Sequence, residues 1–99
     1  MESKLSVLQK YILEELFDHG DKVHKKDLLK FYEDKEDKPS KEDQYNILTK
    51  SIDRLIDRGL VIGFGKRTGE KMFIKRMHLS ESGINVVLKI RKSTQQKLF

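Results

Sequence analysis

The sequence has no cysteine, a single proline, and no apolar run approaching the roughly 20 residues that cross a bilayer. Without cysteine, disulfides and thiolate metal sites are both excluded, and the composition suits a reducing compartment. Charged residues follow Met1 almost at once, so no signal peptide is expected, and the chain reads as soluble, intracellular and cytoplasmic. His19, His24 and His78 share no ligand spacing and no carboxylate accompanies them in a set, so neither metal nor cofactor is expected. Gly63-x-Gly65 leads into a basic turn and a strand, not a helix, and so lacks the context of a phosphate-binding loop. No nucleophile, base and orienting group come together, and Glu14–Glu15 reads as a solvated helix face. The chain does not read as an enzyme.

What is present is charge. Of 99 residues, 37% are charged and 36% hydrophobic. That is enough for one lean core over residues 1–99, but not for a deep, walled active-site cavity. Residues 1–43 hold nine Lys against twelve Asp or Glu, a net −3; residues 44–99 hold twelve Lys or Arg against four acids, a net +8. Such asymmetry is the footprint of a polyanion-binding face built by the second half. A Lys/Glu-rich solvated surface would give a similar balance.

Hydrophobic periodicity sets the elements. Leu5, Leu8, Ile12 and Leu16, widened by Tyr11 and Phe17, predict a first helix from about Lys4 to His19, ended by Gly20. A second helix begins near His24 or Lys25 and buries Leu28, Leu29 and Tyr32. The run Glu33–Pro39 has no apolar period and reads as an exposed loop. Ser40-x-x-Asp43 resembles a helix start, and Tyr45, Leu48, Ile52, Leu55 and Ile56 carry a stripe down to Gly59. This third helix, Asp43–Arg58, would be about 24 Å long. Two β-prone runs, Leu60–Gly65 and Lys71–Leu79, flank a polar turn and predict a hairpin. Phe73, Met77 and Leu79 are expected inward, while the apolar Met72 and Ile74 leave the register open. Ser80 caps a last helix from Glu81 to about Lys97. The fold class is α+β, mostly α: three helices, a β-hairpin wing and a C-terminal helix.

A helix-turn-helix presents the solvent-facing side chains of its second helix to base edges in the major groove. With the buried stripe removed, the start of the third helix offers Gln44, Asn46, Ile47, Thr49 and Lys50. Gln and Asn can pair bidentately with adenine, Lys can donate to guanine, and Ile47 or the Thr49 methyl can touch a thymine methyl. Further along, Asp53, Arg54, Asp57 and Arg58 alternate in sign and look structural. At the hairpin tip, Lys66, Arg67 and Lys71 are placed to meet phosphates or the minor groove, with Lys41 as a further phosphate contact.

Two short signatures lie in order along this layout. Leu55–Ile56–Asp57–Arg58–Gly59–Leu60–Val61–Ile62 resembles the RL-x-x-x-GL-[IV] end of recognition helices in winged-helix regulators. Leu79–Ser80–Glu81–Ser82–Gly83 matches their L-[ST]-x-x-G step from wing strand into final helix. Lys38–Pro39–Ser40 resembles the PS loop before the PadR recognition helix. Over residues 5–90 the chain thus resembles PadR-like and MarR-like regulators, although Pro39 to Leu55 is longer than the usual PadR spacing and the last helix is shorter. The compact layout also resembles minimal viral or plasmid-borne winged-helix regulators of the archaeal kind. The resemblance implies a winged helix-turn-helix fold, binding to double-stranded DNA, regulation of transcription, and a homodimer.

The sequence also points to a dimer by itself. Ile84, Val87 and Leu88 form one face of the last helix while Val86 and Ile90 point elsewhere, and Leu98–Phe99 end the chain. Val7 and Leu13 lie outside the main stripe of the first helix. A dimer interface of Val7, Leu13, Val86, Ile90, Leu98 and Phe99 would set two recognition helices about 34 Å apart or a multiple of that. A protein–protein adaptor without sequence-specific DNA binding is the alternative. Structured RNA is a weaker fit, because exposed aromatic clusters are lacking.

Overall fold

Ser6 starts the first helix. Its hydroxyl accepts from the Gln9 N–H at 3.1 Å while the Gln9 side chain accepts from the Ser6 N–H at 2.9 Å, a reciprocal cap that holds α1 to Val7–His19. The computed structural model describes the backbone of residues 5–68 and 71–97, and their side chains except those of residues 21, 66–68, 71–73, 75 and 94–97. The expected second helix is a 3-10 helix, Lys25–Tyr32. Its threefold repeat aligns Leu28 with Phe31 and Leu29 with Tyr32. Phe31 joins it to α1, its ring centroid 5.2 Å from that of Tyr11.

The third expected helix is α2, Lys41–Asp57, which starts earlier than its stripe suggests because the Ser40 hydroxyl accepts from the Asp43 N–H at 3.2 Å. A two-stranded antiparallel hairpin follows, β1 (Val61–Thr68) and β2 (Lys71–Leu79), then α3 (Glu81–Lys97). The order helix, helix, helix, hairpin, helix is the one expected from the sequence.

All these elements meet in one cluster of buried side chains. Ile12 and Leu13 of α1, Leu28 of the 3-10 helix, Leu48, Ile52 and Leu55 of α2, Met77 of β2 and Val87 of α3 are each under 2% exposed. Arg91 clamps α3 to α1 from outside: it donates to Asp18 at 2.8 Å and Glu14 at 3.4 Å, and its guanidinium lies 4.7 Å from the Phe17 ring centroid.

The hairpin register explains why Met72 and Ile74 left it undecided. Val61 pairs with Leu79, Gly63 with Met77 and Phe64 with Arg76, but Gly65 pairs with Ile74, so Lys75 is an extra residue in β2. This bulge shifts the alternation by one. Met77 is buried, and Ile74, three residues away, also packs against the core. Of the residues expected inward, Met77 is buried and Leu79 half-buried; the side chain of Phe73 lies outside those described.

The end of α2 is closed by two backbone bonds, Leu60 N–H to the Leu55 carbonyl at 3.0 Å and Gly59 N–H to the Ile56 carbonyl at 2.9 Å. With Gly59 at φ +75° and both Leu55 and Leu60 buried, this is a Schellman cap with its apolar contact. Ser80 then ties the root of the hairpin, where β2 ends, to this cap. Its N–H donates to the Leu60 carbonyl at 3.1 Å, its hydroxyl donates to the Gly59 carbonyl at 2.5 Å, and the same oxygen accepts from the Gly83 N–H at 3.0 Å. Gly83 packs so closely that a side-chain carbon would overlap the Leu60 carbonyl oxygen. Gly83→Ala should therefore destabilise the protein by about 3 kcal/mol, since neither backbone has room to yield. Thermal unfolding followed by circular dichroism should show Tm lowered by roughly 12–24 °C; an unchanged Tm would refute the contact.

Candidate nucleic-acid interface

Four residues at regular helical spacing, Gln44, Leu48, Ile52 and Leu55, form the buried face of α2. The sequence pattern assigns the first of these positions to Tyr45 and counts Gln44 among the base-reading residues. The structure exchanges the two. Gln44 is 6% exposed, and its side-chain amide donates to the Pro39 carbonyl at 2.8 Å, so it ties the preceding loop to the helix. The half-buried Pro39 precedes α2, and Gln44 supplies its carbonyl with a donor from within the first turns of the helix. Tyr45 is instead 46% exposed, with the Lys25 ammonium 4.5 Å from its ring centroid. The polar character of Gln44 hid a core position, and the apolar character of Tyr45 hid a surface one.

The remaining candidates on α2 are where the sequence places them. Lys41, Asn46, Ile47 and Lys50 are exposed and Thr49 is half-buried. The Thr49 hydroxyl donates back to the Tyr45 carbonyl at 2.9 Å, which leaves its methyl as the group to offer a ligand. Asn46, Ile47 and Lys50 lie within about one turn of one another on the outer surface. The exposed surface of α2 is nonetheless not basic: Lys41, Lys50 and Arg54 are set against Glu42, Asp43, Asp53 and Asp57, all exposed.

The positive charge of the second half therefore sits elsewhere. The hairpin carries Lys66, Arg67, Lys71, Lys75 and Arg76 against Glu70, and α3 carries Lys89, Arg91, Lys92 and Lys97 against Glu81. The backbone takes Lys66 and Arg67 to the far end of β1 and Lys71 to the facing start of β2; the side chains of all three lie outside those described. Near the root of the hairpin, the outward side is apolar and aromatic. Ile62 is 46% and Phe64 50% exposed, and the Phe64 ring meets His78 edge-on at 5.3 Å. Among the described residues no group of three or more His, Cys, Asp or Glu could hold a metal ion, and no helix is long and apolar enough to cross a membrane.

Resolved shifts in titration fall on two tyrosines and an arginine. Burial, then the hydrogen bond with Glu15, pushes the Tyr11 phenol up to about 12. Hydrogen bonding to Asp18 raises the Arg91 guanidinium above its usual range. Both belong to the packing around α1; burial also raises the Tyr32 phenol, on the 3-10 helix facing the start of α2.

The residues expected at a dimer interface divide three ways. Val7 is 71% exposed. Leu13 is fully buried within its own protomer, wedged into the core, and has no surface to offer a partner. Val86 and Ile90 are half-buried, with Val86 packed against the core, and Leu98 and Phe99 lie outside the described residues. Val87 points inward, and the apolar residues that α3 exposes are Ile84 and Leu88, one turn apart.

No protein-family model matches the sequence, and no curated protein does. Among solved structures, the chain is similar to the crystal structure of Bacillus subtilis PadR in complex with operator DNA. The TM-score is 0.61 at 18% sequence identity, over 88% of this chain and 47% of that one. The fold is a winged helix. In that fold the hairpin β1–β2 is the wing, and α2 is the helix that precedes it. This chain spans about half the length of the PadR chain it resembles.

Because Gln44 is an architectural residue, Gln44→Ala should cost about 1–3 kcal/mol by leaving the Pro39 carbonyl unpaired. It should leave the ranking of DNA sequences unchanged in a competition assay. A changed ranking with an unchanged melting temperature would return Gln44 to the base-reading set.

Proposed function

We propose that this chain is a sequence-specific, double-stranded-DNA-binding transcriptional regulator that acts as a homodimer. The observation that carries the reading is the exposed cluster Asn46, Ile47 and Lys50 near the start of α2, in a chain whose hairpin carries Lys66, Arg67 and Lys71. The similar PadR structure was solved in complex with operator DNA, which supports the same class of partner here. Asn46 would pair with adenine, Lys50 would donate to guanine, and Ile47 and the Thr49 methyl would meet thymine methyls. Lys66, Arg67 and Lys71 would lie on phosphates or in the minor groove, and they would supply affinity without sequence information. The likeness in fold favours PadR-like over MarR-like kinship. The same reading keeps the cytoplasm as the expected compartment.

The second copy is argued from α3. Ile84 and Leu88 are 40% and 50% exposed on a helix otherwise rich in charge, and Val7 adds an apolar residue on α1. A two-fold pairing through α3 would cover them and set two recognition helices on one face of the duplex. The adaptor reading has one observation in its favour, the exposed Ile62–Phe64 side of the wing, an apolar strip suited to a protein surface.

A titration of duplex DNA from the chain's own upstream region, at several salt concentrations and against random competitor, separates these readings. Arg67→Ala should weaken binding and make the slope of log affinity against log salt shallower by about one phosphate's worth. Asn46→Ala should instead alter sequence preference, losing about 1–3 kcal/mol of discrimination at one base pair. Absence of binding at low salt would overturn the regulator in favour of the adaptor. Sedimentation of the Ile84→Asp/Leu88→Asp variant should give a folded monomer where the parent gives a dimer; a dimeric variant would move the interface away from α3.

A further inference from the structure

The acidic half of the sequence contributes a basic feature that its net charge conceals. A cleft of about 650 Å³ opens between the 3-10 helix and the start of α2, and Lys26, Lys30, Lys38 and Lys41 stand around it. All four are exposed. Two neighbouring lysines are already engaged, Lys25 over the Tyr45 ring and Lys35 over the Phe31 ring, at 4.5 and 4.3 Å from the centroids. The four at the cleft form no ion pair with any described residue.

Asp27 and Glu33 share the lining. Asp27 is committed to the backbone, its carboxylate accepting from the His24 N–H at 3.0 Å. Glu42 and Asp43 of the first turn of α2 are not part of the lining. The cleft therefore keeps an excess of ammonium groups, drawn from three separate segments and gathered by the packing of the 3-10 helix on α2. Like charges held together in this way recruit counterions, and a polyanion that displaces those counterions binds with a gain in entropy. Compact ammonium groups suit the point-like charge of phosphate better than the planar edge of a base.

We infer that this cleft seats the sugar–phosphate backbone of duplex DNA beside the groove that α2 enters, an inference that rests on the regulator reading above. On the far half of α2 the exposed Asp53 and Asp57 are set against Arg54 and Arg58, so no excess of positive charge gathers there. The duplex thus lies across the N-terminal end of α2, between the lysine cleft and the wing, and not along the length of the helix. Contacts of this kind fix position and carry no sequence information, so their loss weakens all sequences alike.

The test is fluorescence anisotropy of the full chain with labelled duplex DNA from its own upstream region, repeated across a salt series. Lys30→Gln/Lys38→Gln should weaken binding several-fold and make the salt slope shallower by about two, with the same sequence ranking and the same melting temperature. Glu33→Gln, which removes an acid from the same lining, should tighten binding several-fold. Arg54→Gln, on the far half of α2, should leave the slope as it was. A parental slope in the double variant, while Arg67→Ala still weakens binding, would overturn the cleft and leave the regulator standing. An equal loss of slope per charge in Arg54→Gln would also overturn it, as a general charge effect. No binding by the unmutated chain at low salt would overturn both.

Discussion

The carbonyl group of Leu60 is the point on which the rest of the molecule depends. It sits where α2, the hairpin and α3 converge. It accepts from the Ser80 N–H, and Gly83 packs directly over it. The Gly59 carbonyl beside it accepts the Ser80 hydroxyl, and that hydroxyl caps α3 in turn. Three elements are thus oriented by a few backbone groups, each of which would be costly to bury without a partner. Val61 pairs with Leu79, so these bonds also close the open end of the hairpin. The hairpin cannot swing far relative to α2 without breaking them. A physical meaning follows for the two short signatures in the sequence. Leu55-x-x-x-Gly59–Leu60 is a Schellman cap with its apolar contact, and Leu79–Ser80-x-x-Gly83 is the helix start that docks on it.

The wing obeys a second constraint. A hairpin that leaves the core must be apolar on its inner side at the root and free to be polar beyond it. The extra residue at Lys75 lets Met77 and Ile74 both reach the core although strict alternation would separate them. It also adds local twist, which turns the far end of the ribbon relative to its root. The root stays anchored, and the end that carries Lys66, Arg67 and Lys71 departs from the body of the protein along the strands.

Much of this was legible in the sequence because helices and hairpins write their own periods. Ile12, Leu48, Ile52, Leu55 and Met77 are buried as their spacing requires. What was illegible falls where the period is honest but the residue type misleads. Gln44 and Tyr45 are adjacent, and either continues the stripe back from Leu48 within the tolerance of a 3.6-residue turn. The choice goes with the Pro39 carbonyl, which the Gln44 amide satisfies, a backbone need that hydropathy does not encode. Leu13 was set outside the stripe of α1, yet it is fully buried, since α1 is covered by neighbours on more than one side. Ser6–Gln9 could have been read as a cap, whereas the 3-10 form of the second helix leaves no comparable mark. The lysine cleft was hidden for another reason. Net charge over a segment averages its faces, and Lys26, Lys30, Lys38 and Lys41 are scattered among acids in the chain but gathered by the fold.

This division of charge bears on how a small protein could discriminate. If the recognition helix were itself strongly basic, it would attract every duplex through phosphate, and the extra affinity for one sequence would be a small increment on a large constant. Here the exposed surface of α2 is close to neutral, with Lys41, Lys50 and Arg54 set against Glu42, Asp43, Asp53 and Asp57. On the regulator reading, the attraction is supplied by the wing and the cleft to either side, while α2 contributes little until Asn46, Ile47 and Lys50 meet base edges they fit. A duplex lacking that fit would leave Glu42 and Asp43 of the first turn beside phosphate without the base contacts that offset their repulsion. Discrimination would then come from an unfavourable term as well as a favourable one, which suits a chain whose lean core leaves few side chains for reading.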